Sequence, residues 1–261
     1  KIRIYNCIRF RVLKILQTVL KYLYHLTLLM SVCAIIGCTV KPEDLSSNTS
    51  INEILNLAEK AKQRKAFSEA ADFYMEVDRL YPYSDQARNA LVDAMRAYHD
   101  DSDLLNVRLS AKRYLAIYPE GPDAAFAQYM IGLSFFDAIV DVKRDQGAAQ
   151  LAVKEFEQLE RDFPTSPYLD LAQKKLKISH SQLAGQEMSV GRYYLRRDEY
   201  LASINRFIIV VNDYSDTVFA VEAFYRLTEA YIALGMVELA VENNKIFQKS
   251  FSNSSWAIRS N

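Results

Sequence analysis

An all-α fold, an α-solenoid built from five helix pairs, is predicted by three observations. From Ile51 onward apolar residues recur at i, i+3, i+4 and i+7, the spacing of one helix face. Glycine is scarce, seven in 261 residues, and strand signals are almost absent. Aromatic-Pro pairs or their Ser equivalents punctuate the chain at repeat-like spacing: Tyr81-Pro82, Tyr118-Pro119, Phe163-Pro164, Tyr214-Ser215 and Phe251-Ser252. A proline just past a helix cannot continue it, so these pairs mark helix ends.

The first segment, residues 1–37, is not part of that array. It carries Lys1, Arg3, Arg9, Arg11, Lys14 and Lys21 and no Asp or Glu, followed by an apolar run from Tyr22 to Gly37. A basic stretch, an apolar stretch and then small residues are the marks of an export signal. The run is 16 residues, shorter than the roughly 20 of a membrane span; an uncut signal anchor is the alternative. Ile35-Ile36-Gly37-Cys38 is similar to a bacterial lipobox, although Ile36 stands where a small or polar residue is usual. The expectation is a lipoprotein signal peptide over 1–37 and a diacylglycerol and N-acyl lipid on Cys38, anchoring the chain to a membrane. Cys7 and Cys33 would leave with the signal, so no disulfide is expected. Residues 38–50, rich in Ser, Asn, Thr, Pro and Glu, read as a flexible tether.

Residues 51–261 form the repeat domain. Setting the Pro or Ser of each marker at position 32 of a 34-residue unit brings the sequence into register. Unit one, 51–84, then has Leu57 and Ala58 at 7 and 8, Ala70 at 20 and Tyr74 at 24. Unit two, 88–121, has Ala94, Met95, Tyr98, Val107, Ala111 and Tyr114; unit five, 221–254, has Leu227, Thr228, Tyr231 and Ala240. This alternation of small and bulky residues is that of tetratricopeptide helix pairs, in which small residues let two helices approach. Unit three, 125–166, aligns Gly132 and Phe135 with Ala152 and Phe156 only if eight residues are inserted around Asp141 to Gly147. Unit four, 184–217, has Val190, Gly191, Tyr194, Ser203 and Phe207, preceded by fourteen extra residues. Ser166 to Arg197 therefore reads as one long helix, capped by Thr165-Ser166 with Pro167 at its start.

Composition narrows the function. Removing the six basic residues of 1–37 from the 32 Lys and Arg leaves 26 against 32 acidic groups, a formal net charge of −6. Nucleic acid is an improbable partner for such a chain. A P-loop, a nucleophile elbow, a His-Glu-x-x-His zinc motif and paired cysteines are all missing. His99, Asp100, Asp101 and Asp103 lie together, but they read as a solvated loop and a helix N-cap rather than a metal site. No enzyme activity, cofactor or metal is expected. Most Tyr and Phe residues read as helix packing, and the concave face of a solenoid is where partners usually bind.

Several segments resemble the BamD family, the tetratricopeptide lipoproteins of the outer-membrane β-barrel assembly machine, in a form similar to that of alphaproteobacteria. They are Phe73-Tyr74-Met75-Glu76-Val77 with Tyr81-Pro82-Tyr83-Ser84, then Gln128-Tyr129-Met130-Ile131-Gly132-Leu133, then Lys143-Arg144-Asp145-Gln146. Phe156-Glu157-Gln158-Leu159 with Phe163-Pro164-Thr165-Ser166-Pro167-Tyr168, and Glu187-Met188-Ser189-Val190-Gly191-Arg192-Tyr193-Tyr194, complete the set. The resemblance covers roughly Glu53 to Ser252.

It implies a non-enzymatic adaptor on the periplasmic face of the outer membrane. Its partners would be the POTRA domains of a BamA-like barrel protein, other Bam lipoproteins and unfolded β-barrel clients. Thr39 after the lipidated cysteine is compatible with release to the outer membrane. Arg206 matches by position the arginine that family members direct toward a POTRA carboxylate. Tyr74, Tyr81, Tyr83 and Arg88 are the candidates for client binding, with packing as the plainer role of Tyr74 and Tyr81. The alternative is another tetratricopeptide envelope lipoprotein, such as a pilus pilotin or a cell-envelope coordinator.

Overall fold

The computed structural model describes Lys21 and residues 41–141, 145–252 and 254–256. Cys38, the apolar run before it, Lys143 and Arg144 lie outside the described residues. The chain divides into residues 1–45 and 46–261. In the first part, Pro42–Asp44 makes a single 3₁₀ turn with Pro at its first position. Among the described residues no helix is long and apolar enough to cross a membrane.

Among the described residues, the second part holds ten α-helices and no strand. They are α1 (Ile51–Gln63), α2 (Phe67–Leu80), α3 (Asp85–Asp100), α4 (Leu104–Ile117) and α5 (Ala124–Asp137). There follow α6 (Gly147–Asp162), α7 (Leu169–Leu195), α8 (Tyr200–Asp213), α9 (Ala220–Ala233) and α10 (Val237–Phe251). Taken two at a time they are the five expected pairs. Each helix packs on its neighbours in the chain, and α3 with α5, α5 with α7 and α7 with α9 also meet directly. The second helices of successive units do not meet to that extent. A row of touching helices beside a splayed row is curved with the touching row inside, so first helices form the concave side.

The aromatic markers are the stops of the second helices. Tyr81, Tyr118, Phe163 and Tyr214 are C-caps with φ of −130°, −127°, −132° and −130°. Each donates its backbone N–H to the carbonyl four residues back, at 2.9, 2.7, 2.9 and 3.1 Å. In the fifth unit the helix runs through Phe251 and stops there.

A second repeated device joins the two helices of a pair. Lys65, Ser102, Asp198 and Gly235 occupy position 15 of units one, two, four and five, and all have φ between 58° and 71°. After each, the next N–H reaches back to close the helix: Ala66 to Ala61 at 3.0 Å, Asp103 to Tyr98 at 2.9 Å, Glu199 to Tyr194 at 3.0 Å, and Met236 to Tyr231 at 2.9 Å. This is the Schellman closure, which satisfies carbonyls that a helix end leaves bare. Unit three replaces it with the inserted loop before Gly147.

Position 8 against position 24 sets how closely a pair packs. A β-carbon on Gly132 would lie 2.6 Å from the Phe156 ring, and one on Gly191 would lie 2.5 Å from Phe207. Unit one has Ala58 and Tyr74 at these positions, and unit two reverses the sizes with Met95 and Ala111; all four are buried. Helix α5 is apolar on every side because α3, α4, α6 and α7 all pack on it.

Two expectations are corrected. The long helix begins at Leu169, not Ser166, and ends at Leu195, not Arg197. Ser166 precedes Pro167, whose ring disfavours helical geometry in the residue before it. Its hydroxyl instead accepts the Tyr168 N–H at 3.1 Å inside a turn. The expected flexible tether over 38–50 does not reach its C-terminal bound, where Thr49 and Ser50 are held. Ser50 caps α1, accepting from the Glu53 N–H at 3.3 Å, and the Tyr81 hydroxyl donates to the Thr49 carbonyl at 2.5 Å.

Candidate partner and client surfaces

Helix α7 is 27 residues long, or about 40 Å at 1.5 Å per residue. Its first half packs on unit three and its second half is the first helix of unit four. The Gln182 side chain donates to the Val140 carbonyl at 2.7 Å, tying the helix to the unit-three loop. Further along, Gly191 seats Phe207, within a core of Ala184, Met188, Ile204, Val210, Ala223, Leu227 and Ala230. The tight approach brings two polar side chains together beside it. Arg206 Nη1 of α8 donates to Glu187 Oε2 of α7 at 3.1 Å. The arginine side chain is 41% exposed and the glutamate 19%. One turn on, Arg192 Nη1 binds Glu222 of α9 at 2.8 Å, and Arg226 bridges Glu222 and Glu229. The Tyr214 phenol is pushed up by burial first and then by the charges of Asp213 and Glu187.

At the other end, units one and two meet across a polar seam. Asp78 is 4% exposed, and its Oδ2 accepts from Arg113 Nε at 3.0 Å. Arg88 pairs with Asp85 at 3.0 Å in the first turn of α3. Tyr98 donates to Asp72 at 2.7 Å, and its phenol is pushed up by burial and then by that carboxylate. His99 Nε2 lies 2.8 Å from Asp137 and joins α3 to α5. Asp103 caps α4 as expected, accepting the Asn106 N–H at 3.1 Å. Among the described residues no group of His, Cys, Asp and Glu could hold a metal ion.

These surfaces belong to a protein of recognisable kin. A family described as "Outer membrane lipoprotein", YfiO, matches residues 47–246. The chain belongs to this family. An outer membrane protein assembly factor BamD of Caulobacter vibrioides is 30% identical over 228 residues, 87% of this chain and 75% of its own length. One of Rickettsia prowazekii is 30% identical over 210 residues, 80% of this chain and 81% of that one. One of Neisseria meningitidis is 28% identical over 251 residues, covering 92% of each. The BamD proteins are named assembly factors, a non-enzymatic family, as the missing catalytic motifs suggest.

Against that family the candidate residues fall in two places. Arg206 is on the outer row, on the second helix of unit four, already engaged by Glu187. Tyr83 and Arg88 flank the turn between units one and two; Tyr83 is 76% exposed and has φ of 67°. Tyr74 is buried, with its hydroxyl 3.5 Å from Glu59, and Tyr81 is the cap already described. The contacts Glu187–Arg206 and Asp78–Arg113 were not read from the sequence. Glu187 stood in the motif run, but nothing in a linear pattern names its partner on another helix.

Proposed function

We propose that this chain is a lipid-anchored scaffold of outer-membrane protein assembly. In this reading its C-terminal half binds the POTRA domains of a BamA-like barrel protein and its N-terminal units hold unfolded β-barrel clients. The observation that carries the reading is the match of residues 47–246 to a family of outer membrane lipoproteins. The relatives' name, outer membrane protein assembly factor, favours it over a pilotin or an envelope coordinator.

The geometry supports the same division of labour. Arg206 offers a half-exposed guanidinium fork, the group best shaped to take a carboxylate. Tyr83 offers an exposed aromatic ring beside the charged Arg88–Asp85 pair, suited to an extended, aromatic-rich segment bound weakly. A diacylglycerol and N-acyl lipid on Cys38 would hold these surfaces at the periplasmic face of the outer membrane, with other Bam lipoproteins as neighbours.

The test is depletion of the protein from its own envelope, with gentle-detergent purification of the tagged full chain. The expected result is loss of barrel proteins from the outer membrane and a BamA-like protein retained in near-equal amount. Normal barrel assembly after depletion would overturn the reading. Mass spectrometry of the N-terminal peptide decides the lipid: an unmodified Cys38 in the membrane-bound protein would remove the anchor.

A further inference from the structure

We propose that Glu187 is a positioning residue for Arg206, holding one edge of the guanidinium inside the protein so that the other edge is presented to a partner's carboxylate. The inference rests on the reading of Arg206 given above and adds a residue to it.

Three observations carry it. First, among the described residues Arg206 makes one polar side-chain contact: Nη1 to Glu187 Oε2 at 3.1 Å. A guanidinium has five N–H donors in a rigid fork, so one bond leaves the remaining edge open to a second carboxylate. Second, the two side chains are unequally buried, 41% exposed for the arginine against 19% for the glutamate. A carboxylate so enclosed is costly to leave without its cation, so the pair persists when a partner arrives and the partner takes the outer edge. Third, the backbone beneath the pair is fixed. Phe207, next to Arg206, lies in the notch of Gly191, one helical turn from Glu187. The register of α8 on α7 therefore cannot slide without driving a ring into a backbone.

The neighbouring cations are arranged differently. Glu222 is shared between Arg192 and Arg226, and Arg226 also binds Glu229. Among the described residues, Glu187 forms an ion pair with Arg206 and with no second cation. A free arginine would lose rotamer freedom on docking, whereas this one is ordered during folding, before any partner is present.

The test is a double-mutant cycle on binding of the full-length lipoprotein, in detergent, to the purified BamA-like barrel protein of the same envelope. Glu187→Gln removes the charge and keeps the shape. It should raise Kd about three- to tenfold, the cost of ordering one long side chain on binding. In an Arg206→Ala background, where no cation is left to position, Glu187→Gln should change Kd no further. Equal losses in both backgrounds would make Glu187 merely structural and overturn the proposal. Tighter binding by Glu187→Gln would make it a competitor and overturn it equally. If Arg206→Ala and Arg206→Lys bind as wild type does, the reading of Arg206 itself fails and this proposal falls with it. Thermal melting of each variant guards against misfolding. Glu187→Asp, which keeps the charge one methylene short, should recover part of the affinity if Glu187→Gln proves unstable.

Discussion

Phe207 lies so close to Gly191 that a β-carbon there would come within 2.5 Å of its ring. The ring belongs to α8 and the glycine to the middle of α7, where alanine would otherwise be the better helix former by about 1 kcal/mol. The sign of Gly191→Ala is thus set by packing, not propensity. Phe207 is fully buried, so its ring has nowhere to swing. The substitution should destabilise the protein by about 1–3 kcal/mol, read as a lower midpoint in urea unfolding. Adding Phe207→Leu should return part of the loss. A raised midpoint for Gly191→Ala would show that the two helices separate freely.

The four left-handed residues at position 15 make an opposite pair of predictions. Gly235 has φ of 71° with open space around its missing β-carbon, so Gly235→Ala is strained by the backbone alone. It should cost about 1 kcal/mol. Lys65 has φ of 60° and is exposed. Lys65→Gly removes that strain and should stabilise by about 0.5 kcal/mol after the extra freedom glycine gives the unfolded chain. Melting temperatures moving in the same direction for both variants would contradict this account.

The buried carboxylate of Asp78 depends on Arg113, 3.0 Å away. Arg113→Ala leaves that charge without a cation in a protein seam. Because the arginine is itself half exposed and water can replace part of it, the cost should be about 1–3 kcal/mol. Replacing both with leucine should recover most of the stability, as measured by the same unfolding curve. A double variant no better than Arg113→Ala would mean that the pair is held for some other reason.

Alkaline pH should weaken the first unit. Burial, then the charges of Asp93 and Glu59, pushes the Tyr74 phenol up to about 12 in the folded protein. In the unfolded chain it ionises near about 10. The folded state therefore keeps a proton that the unfolded state releases. Stability from this group is complete below about pH 10 and is lost as pH rises toward 12. Unfolding midpoints measured from pH 9 upward should fall less steeply for Tyr74→Phe than for wild type. Parallel curves would remove Tyr74 from the account.

Tyr83 is the one candidate client residue whose removal should leave the fold intact, because the residue is 76% exposed. Tyr83→Ala should keep its melting temperature and bind a fluorescent peptide from the C-terminus of an outer-membrane barrel protein about fivefold more weakly, the scale of losing a small aromatic anchor. Unchanged anisotropy titrations would move client binding away from this turn.

Much of the fold was legible in the sequence because the signals were local. The aromatic markers are strong stops, and the small–large alternation at positions 8 and 24 is visible in any unit where Gly or Ala faces an aromatic. The Schellman turn was hidden because Lys, Ser and Asp stand in three of its four places, where glycine is usual. The start of α7 was misplaced because Thr165-Ser166-Pro167 spells a helix cap and folds as a turn. The candidate sites were less legible. Exposure of Tyr83, enclosure of Tyr74 and the partners of Arg206 and Asp78 all come from residues 19 to 35 positions apart or from packing. No periodicity encodes such meetings.

Each helix of the array touches those next to it in the chain and the occasional one beyond. Such a molecule has low contact order, and its folding does not wait for the two ends to find each other. A chain delivered from its N-terminus can lay down one pair, then build the next upon it, so the growing edge is always the most recent helix. Among the described residues, α10 leaves Val237, Leu239, Val241 and Ile246 open to solvent, an apolar edge of the kind on which each earlier pair receives the next.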